Sequence, residues 1–121
     1  MYYIGIDISK FKHDCAVIDD SGEIVTPSWS FTNDAEGFSQ LKLLLNSLDT
    51  ETRIGLESTG HYGMNLKLFL ESNNFSFMEF NPLLINRFVK SKSLRKTKSD
   101  SIDCMMIAHY LMTVELSLIH I

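Results

Sequence analysis

Residues 2–31 read YYIGIDISKFKHDCAVIDDSGEIVTPSWSF, and this stretch decides the fold. It contains three runs rich in β-branched, aromatic and other apolar residues, at 2–8, 14–19 and 23–31. Short polar segments separate the runs, and Asp20-Ser21-Gly22 has the composition of a tight turn. Because connections this short join antiparallel neighbours, the stretch predicts a three-stranded antiparallel meander.

The remaining residues alternate between helical and strand patterns. A helix is predicted from Asn33 or Asp34 to about Leu48, where apolar residues recur at helical spacing. Further elements are expected in this order: strand 53–57, a helix after Gly60, strand 75–80, a short helix at 83–89 and a last helix from about Asp100. Strands joined through helices lie parallel by the right-handed crossover rule. The order predicts one α/β domain over residues 1–121, with a mixed five-stranded sheet flanked by helices, which is the ribonuclease-H-like architecture.

Four carboxylates stand where this fold could gather them: Asp7, Glu57, Asp100 and Asp103. Asp7 interrupts the first strand and Glu57 ends the fourth, so both are expected at the crevice outside the carboxyl ends of neighbouring strands. Asp100 and Asp103 are three apart at the predicted start of the last helix and would face one side of it. Such acids repel one another unless cations lie between them, and all-oxygen ligands select Mg²⁺ or Mn²⁺. We therefore expect two ions at these residues, in a site suited to phosphodiester cleavage.

Each acid also has a purely structural interpretation. Asp7 could be a strand-end acid with solvated oxygens, and strand ends often carry acids such as Glu57. Asp100 and Asp103 suit the first turn of a helix, where an acid stabilises the helix dipole. Capping explains one acid of that pair better than both, so a metal role is favoured.

The chain is acidic overall, with a net charge of −4, but its basic residues are concentrated in one segment. No acid lies between Asn81 and Ser99, and six of the eleven basic residues fall there. They are Arg87, Lys90, Lys92, Arg95, Lys96 and Lys98. Such a segment holds phosphate backbones without reading bases, which predicts salt-dependent nucleic-acid binding next to Asp100. The alternative is a solvated loop.

Composition favours a cytoplasmic protein. The first residues lack the basic start and long apolar run of a secretory signal. His109 and Glu115 interrupt the most apolar stretch, residues 104–121, so no membrane span is expected. Cys15 and Cys104 are isolated thiols without the spacing of a disulfide framework or a zinc site.

Five motifs, taken together, resemble the DEDD-type transposases of bacterial insertion sequences. They are Gly-Ile-Asp-Ile-Ser-Lys (5–10), Glu-Ser-Thr-Gly-His-Tyr (57–62), Asn-Pro (81–82), Arg-Phe (87–88) and Lys-Thr-Lys-Ser-Asp-Ser-Ile-Asp (96–103). Each motif alone is weak, but their order and spacing are specific over residues 3–108. The resemblance implies a RuvC-like catalytic domain that binds Mg²⁺, with Asp7, Glu57, Asp100 and Asp103 as the four acids that name the group. It also implies DNA as substrate and a structured guide RNA as partner.

Members of that family continue into a second domain that supplies a serine nucleophile. Ile121 ends this chain before such a domain, and Ser117 lacks the surrounding motif. We therefore expect residues 1–121 to be the catalytic domain of a truncated or excised product, with incomplete recombination activity. A homo-oligomer is also predicted, because the apolar face of the last helix is expected to need a partner surface. That face comprises Ile107, Leu111, Val114 and Leu118.

Three alternatives remain open. The first is a stand-alone, structure-selective nuclease of the RuvC-like type. The second is a sugar-kinase or actin-like ATPase fragment, whose first strand also ends in Gly-Ile-Asp, although Ile8-Ser9 replaces the glycine and threonine that usually follow. The third is a non-catalytic RNA- or DNA-binding fragment, whose binding would be salt-sensitive and whose metal binding would not depend on Asp7.

Overall fold

A computed structural model describes residues 1–58, 60–91 and 103–119, with side chains of the last helix described up to Ser117. The strands are β1 (Tyr2–Ile8), β2 (Lys12–Asp19), β3 (Ile24–Thr32), β4 (Thr52–Glu57) and β5 (Phe77–Phe80). The helices are α1 (Ala35–Ser47), α2 (Met64–Ser72), α3 (Pro82–Ser91) and α4 (Cys104–Ile119), and a 3₁₀ turn occupies Gly60–Gly63.

The strands form one mixed five-stranded sheet in the order β3-β2-β1-β4-β5. Strand β1 is antiparallel to β2 and parallel to β4, while β2 pairs antiparallel with β3 and β4 pairs parallel with β5. This topology confirms the predicted α/β fold with a sheet flanked by helices, compatible with the ribonuclease-H-like architecture. Several boundaries differ: β2 begins two residues earlier than predicted, β5 begins two residues later, α3 ends two residues later, and the last helix begins at Cys104 rather than near Asp100.

Helices cover both faces of the sheet because β1 is apolar on both sides. Ile4, Ile6 and Ile8 pack with α1 and α2 in one buried cluster. Tyr3, on the opposite face, packs with α3 and α4 in a second cluster. The alternation follows from the two-residue period of a strand. A sheet buried on both sides fixes which way each residue of β1 points.

Helix α4 lies directly on β1 at Gly5. A Cβ atom added there would collide with the carbonyl oxygen of Cys104 and would be 2.5 Å from the backbone nitrogen of Ala108. Only glycine permits this approach, and it places the first turn of α4 beside the carboxyl half of β1. The start of the last helix is thereby held next to Asp7.

The apolar face of α4 is covered by the chain's own sheet. Ile107 and Leu111 are fully buried in the second cluster, and Val114 packs against that cluster. The side chain of Leu118 lies outside the described residues. The expectation that this face needs a partner surface was wrong for Ile107 and Leu111, so homo-oligomerisation stays a prediction without that support. Within the described ranges, no helix is both long and apolar enough to cross a bilayer.

Candidate active site at the carboxyl ends of β1 and β4

The carboxyl end of β1 carries Asp7 on the face covered by α4. Gly5 touches α4 on that face, and Asp7 follows two residues later, so it points the same way. Strand β4 brings Glu57 alongside, because the parallel register pairs Gly5 with Gly55 and Ile6 with Leu56. A Cβ at Gly55 would lie 3.4 Å from Leu111 of α4, and Glu57 is two residues further along the same face. The two acids therefore lie at adjacent strand ends, as the sequence predicts.

Asp103 reaches this place from the start of α4. Its Oδ1 accepts a hydrogen bond from the Met106 backbone N–H at 2.9 Å, which makes Asp103 the residue that caps the helix. Asp103 lies directly before the helix, which begins at Cys104, and not inside its first turn as predicted. The capping interpretation is confirmed for Asp103. Asp100 lies outside the described residues.

The pKa of Asp7 reflects both its burial and its acidic neighbours. The pKa of Asp7 is raised from its ordinary value of 3.8 to about 6. Burial is the largest cause, followed by repulsion from Glu57, Asp14 and Asp103. A divalent cation bound beside Asp7 would relieve this repulsion.

Glu57 is half-buried, and burial raises its pKa. The chain leaves β4 in a fixed direction, because the Ser58 N–H donates a 2.9 Å hydrogen bond to the carbonyl of Phe80. Gly60 then adopts a φ of +70°, which confirms the tight turn expected there.

Asp14 is a fourth acid of this group that the sequence analysis missed. The antiparallel register places it directly opposite Asp7, and the Ser30 hydroxyl of β3 donates a hydrogen bond to its Oδ1. From the sequence, the second strand was expected to start at Asp14 and the register of β1 and β2 stayed open, and the observed pairing is what sets the two acids opposite each other. Asp7, Asp14, Glu57 and Asp103 together are named the carboxylate edge below.

The donors of the carboxylate edge fit a hard cation better than a soft one, since all are carboxylate oxygens. Among residues 1–58, 60–91 and 103–119, however, no three His, Cys, Asp or Glu side chains are arranged closely enough to hold a metal ion. A complete coordination shell would need Asp100, which lies outside those residues, or a shift of Asp103 from its capping position. The residues fit Mg²⁺ or Mn²⁺ in chemistry but do not form a finished cage.

Two members of the basic segment are described, and both are exposed. Arg87 and Lys90 lie on α3, whose opposite side buries Ile85 and Val89. The other four, Lys92, Arg95, Lys96 and Lys98, lie outside the described residues. The predicted nucleic-acid contact of these six side chains therefore stays a prediction.

Comparison with known proteins agrees with the motifs. A family model of IS110-type DEDD transposases, described as "Transposase", matches residues 4–120. The chain is 33% identical over 111 residues to the "Pilin gene-inverting protein" of Moraxella lacunata, covering 89% of this chain and 33% of that protein. The corresponding protein of Moraxella bovis is 34% identical over 112 residues, with the same coverage.

A third relative is the "Mini-circle putative transposase for IS117" of Streptomyces coelicolor, 28% identical over 115 residues, covering 92% of this chain and 27% of that protein. The chain thus spans about a third of the length of the curated relatives it matches. Since the family model covers nearly the whole chain, this protein belongs to the IS110-type family of DEDD transposases.

Proposed function

We propose that this chain provides the metal-dependent phosphodiester-cleaving centre of an enzyme that transposes or recombines DNA. The observation that carries the proposal is the carboxylate edge, where the parallel register of β1 and β4 sets Asp7 and Glu57 at adjacent strand ends and Asp103 caps the helix that packs on Gly5. Family membership supports DNA rather than a nucleotide or sugar as substrate, so the ATPase alternative is set aside. The names of the relatives, a gene-inverting protein and a putative transposase, support the same reaction class.

The proposed metal ligands are Asp7, Glu57, Asp100 and Asp103, holding two Mg²⁺ or Mn²⁺ ions. Ions held there would polarise a scissile phosphate and stabilise the oxygen that leaves it. The protein's contribution is placement: β1 and β4 hold Asp7 and Glu57 at adjacent ends, and α4 carries Asp103. Because the helix cap uses Oδ1 of Asp103, we assign Oδ2 to the cation.

The partners follow from the same proposal. The DNA backbone, and a structured guide RNA, would contact the basic segment at Arg87, Lys90, Lys92, Arg95, Lys96 and Lys98. We further propose that the protein works in the cytoplasm as a homo-oligomer. The relatives are about three times as long as this chain. These partners are therefore proposed for an enzyme of the relatives' full length.

Calorimetric titration with Mn²⁺ tests the metal assignment. Asp7→Asn and Asp100→Asn should each weaken Mn²⁺ binding at least about tenfold, since each removes a charged ligand. Asp20→Asn is the matched control, because Asp20 is an exposed acid at the opposite end of β2. Unchanged affinity in both ligand variants, or an equal loss in the control, would contradict the assignment.

The basic segment is tested by the salt dependence of DNA binding. Changing Arg95, Lys96 and Lys98 together to Ala should flatten the plot of log K against log salt by about 0.9 for each phosphate that the protein no longer neutralises. Lys42→Ala, at an exposed lysine of α1, is the control. An unchanged slope in the triple variant would remove the segment from the binding surface.

A further inference from the structure

The turn between β1 and β2, residues 9–11, presents an aromatic ring to solvent. The side chain of Phe11 is 76% exposed, more than any other large apolar residue in the described part of the chain. The Lys10 ammonium lies 5.1 Å from the centre of its ring. Single exposed apolar residues are common and need no explanation, but a cation held over an exposed ring forms a small mixed surface.

Hydrogen bonds hold this turn in one shape. The Ser9 hydroxyl donates to the carbonyl of Lys12 at 2.5 Å, and the Ser9 N–H donates to Nδ1 of His13 at 3.2 Å. The carbonyl of Phe11 itself accepts from the Asn33 N–H at 2.9 Å. Because His13 is fully buried, the turn is anchored in the interior of the protein. The ring of Phe11 is therefore displayed on a rigid support, which lowers the entropy cost of binding to it.

Asn33 joins this turn to the loop that follows Glu57. Its Nδ2 donates to the carbonyl of Lys10 at 3.1 Å and to the carbonyl of Tyr62 at 3.3 Å. Tyr62 is 39% exposed, and its ring lies 4.5 Å from that of His61. Exposed rings thus stand beyond the ends of both β1 and β4, the strands that carry Asp7 and Glu57.

We propose that Phe11, with Lys10, is a stacking platform for an unpaired nucleobase in the strand presented to the carboxylate edge. Proteins bind single-stranded nucleic acids through aromatic rings beside cations, because any base can stack on the ring and the cation contacts a backbone phosphate. Phe11 is four positions along the chain from Asp7, so their Cα atoms are at most about 14 Å apart. That limit corresponds to no more than about four stacked nucleotides at roughly 3.4 Å each. The inference rests on the proposed function for the strand's identity, but the platform itself does not require metal.

The charges near the turn favour Lys10 over Lys12 as the phosphate contact. Lys12 lines a shallow depression shared with Asp34 and Glu36, whose negative charges disfavour a phosphate there. Lys10 lies instead at the ring of Phe11 and is joined through Asn33 to the Tyr62 loop. The strand is expected to pass from Phe11 toward the Tyr62 side of the edge.

Fluorescence anisotropy and 2-aminopurine quenching in EDTA test the platform. The probes are a 12-nucleotide single-stranded DNA, the RNA of the same sequence, and the DNA duplex, each with one 2-aminopurine. Phe11→Ala should weaken single-strand binding about five- to a hundredfold and abolish the stacking quench. Phe11→Trp should restore both. Loss with DNA alone, RNA alone or both supports the platform and identifies the strand it receives.

Leu43→Ala is the matched control, because Leu43 is 72% exposed on α1 and lies outside the turn. It should change neither affinity nor quenching. Wild-type binding by Phe11→Ala, equal losses in Phe11→Ala and Leu43→Ala, or an equal loss with duplex would overturn the proposal. Because the nucleic-acid assay is run in EDTA, it does not depend on a bound metal ion, so the two proposals can fail separately. If Phe11→Ala weakens binding but calorimetry shows no Mn²⁺ binding, the platform stands and the metal centre does not.

Discussion

Replacing Asp7 with Asn should make the metal-free protein more stable at neutral pH. A pKa raised from 3.8 to about 6 means that the folded state holds the ionised form of Asp7 at a cost. Taken at face value, that rise is worth about 3 kcal/mol. Because the carboxylate is partly exposed and screened by water, we expect about 1–2 kcal/mol. Asn keeps the shape of the side chain and removes the charge that Glu57, Asp14 and Asp103 repel.

The stability difference between Asp7→Asn and the wild type should grow as the pH rises. Well below pH 3.8, Asp7 is protonated in both the folded and unfolded chains, so Asp7→Asn should match the wild type. As pH rises toward 6, the unfolded chain ionises first and the wild type loses stability that the variant keeps. The difference should be small at pH 4 and complete at pH 7.5. Other groups such as His13 titrate in both proteins and cancel in the comparison.

Urea unfolding followed by circular dichroism, in EDTA at pH 4 and pH 7.5, measures this difference. Asp20→Asn serves again as the control and should show no comparable gain. Addition of Mn²⁺ at about a hundred times its dissociation constant should then stabilise the wild type by about 2.7 kcal/mol and the Asp7→Asn protein much less. A variant no more stable than the wild type at pH 7.5, or equally stabilised at both pH values, would refute the reasoning.

Three further predictions concern the scaffold. Gly5→Ala should lower the free energy of unfolding by several kcal/mol, because the added Cβ would lie 2.5 Å from the backbone nitrogen of Ala108. A shift of α4 away from the sheet would reduce this loss to about 1–3 kcal/mol. An unchanged urea midpoint would contradict the close approach of α4 to β1. The Cys15 thiol, fully buried and with its pKa raised by burial, should resist alkylation at pH 8 until urea unfolds the protein, and rapid labelling of the native state would contradict this. Burial lowers the pKa of His13 below its ordinary value of 6.5, so the protein should lose stability as the pH falls below 6.5 and the unfolded chain takes up the proton first. His13→Gln should weaken this pH dependence of the free energy of unfolding. An unaltered pH profile in the variant would contradict the prediction.

The fold was predictable because its signals are local. Alternating and continuous apolar runs marked the strands, and turn residues such as Asp20-Ser21-Gly22 set the meander. Asp34, one of the two residues expected to begin the first helix, caps it by accepting a hydrogen bond from the Gly37 N–H. The start of α4 was placed too early because two acids three residues apart suit either one face of a helix or the position that caps it. In the structure Asp103 is the cap, and the first turn of α4 packs on Gly5.

The candidate site was predictable only in part. Asp7 and Glu57 follow from strand order, whereas Asp14 needs the exact register of β1 and β2, which depends on the hydrogen bonds of the turn. The covered face of α4 could not be inferred either, because an apolar helix looks the same whether it packs on its own sheet or on another chain. Both failures concern how one element pairs with or packs on another, which the residue pattern of a single element does not specify.

The most direct test of the metal centre is anomalous X-ray diffraction from crystals grown with Mn²⁺. We expect manganese peaks at the carboxylate edge, with oxygens of Asp7 and Glu57 in the coordination shell and Asp100 or Asp103 completing it. Manganese bound elsewhere, or carboxylates of Asp7 and Glu57 that coordinate no ion at saturating Mn²⁺, would contradict the account.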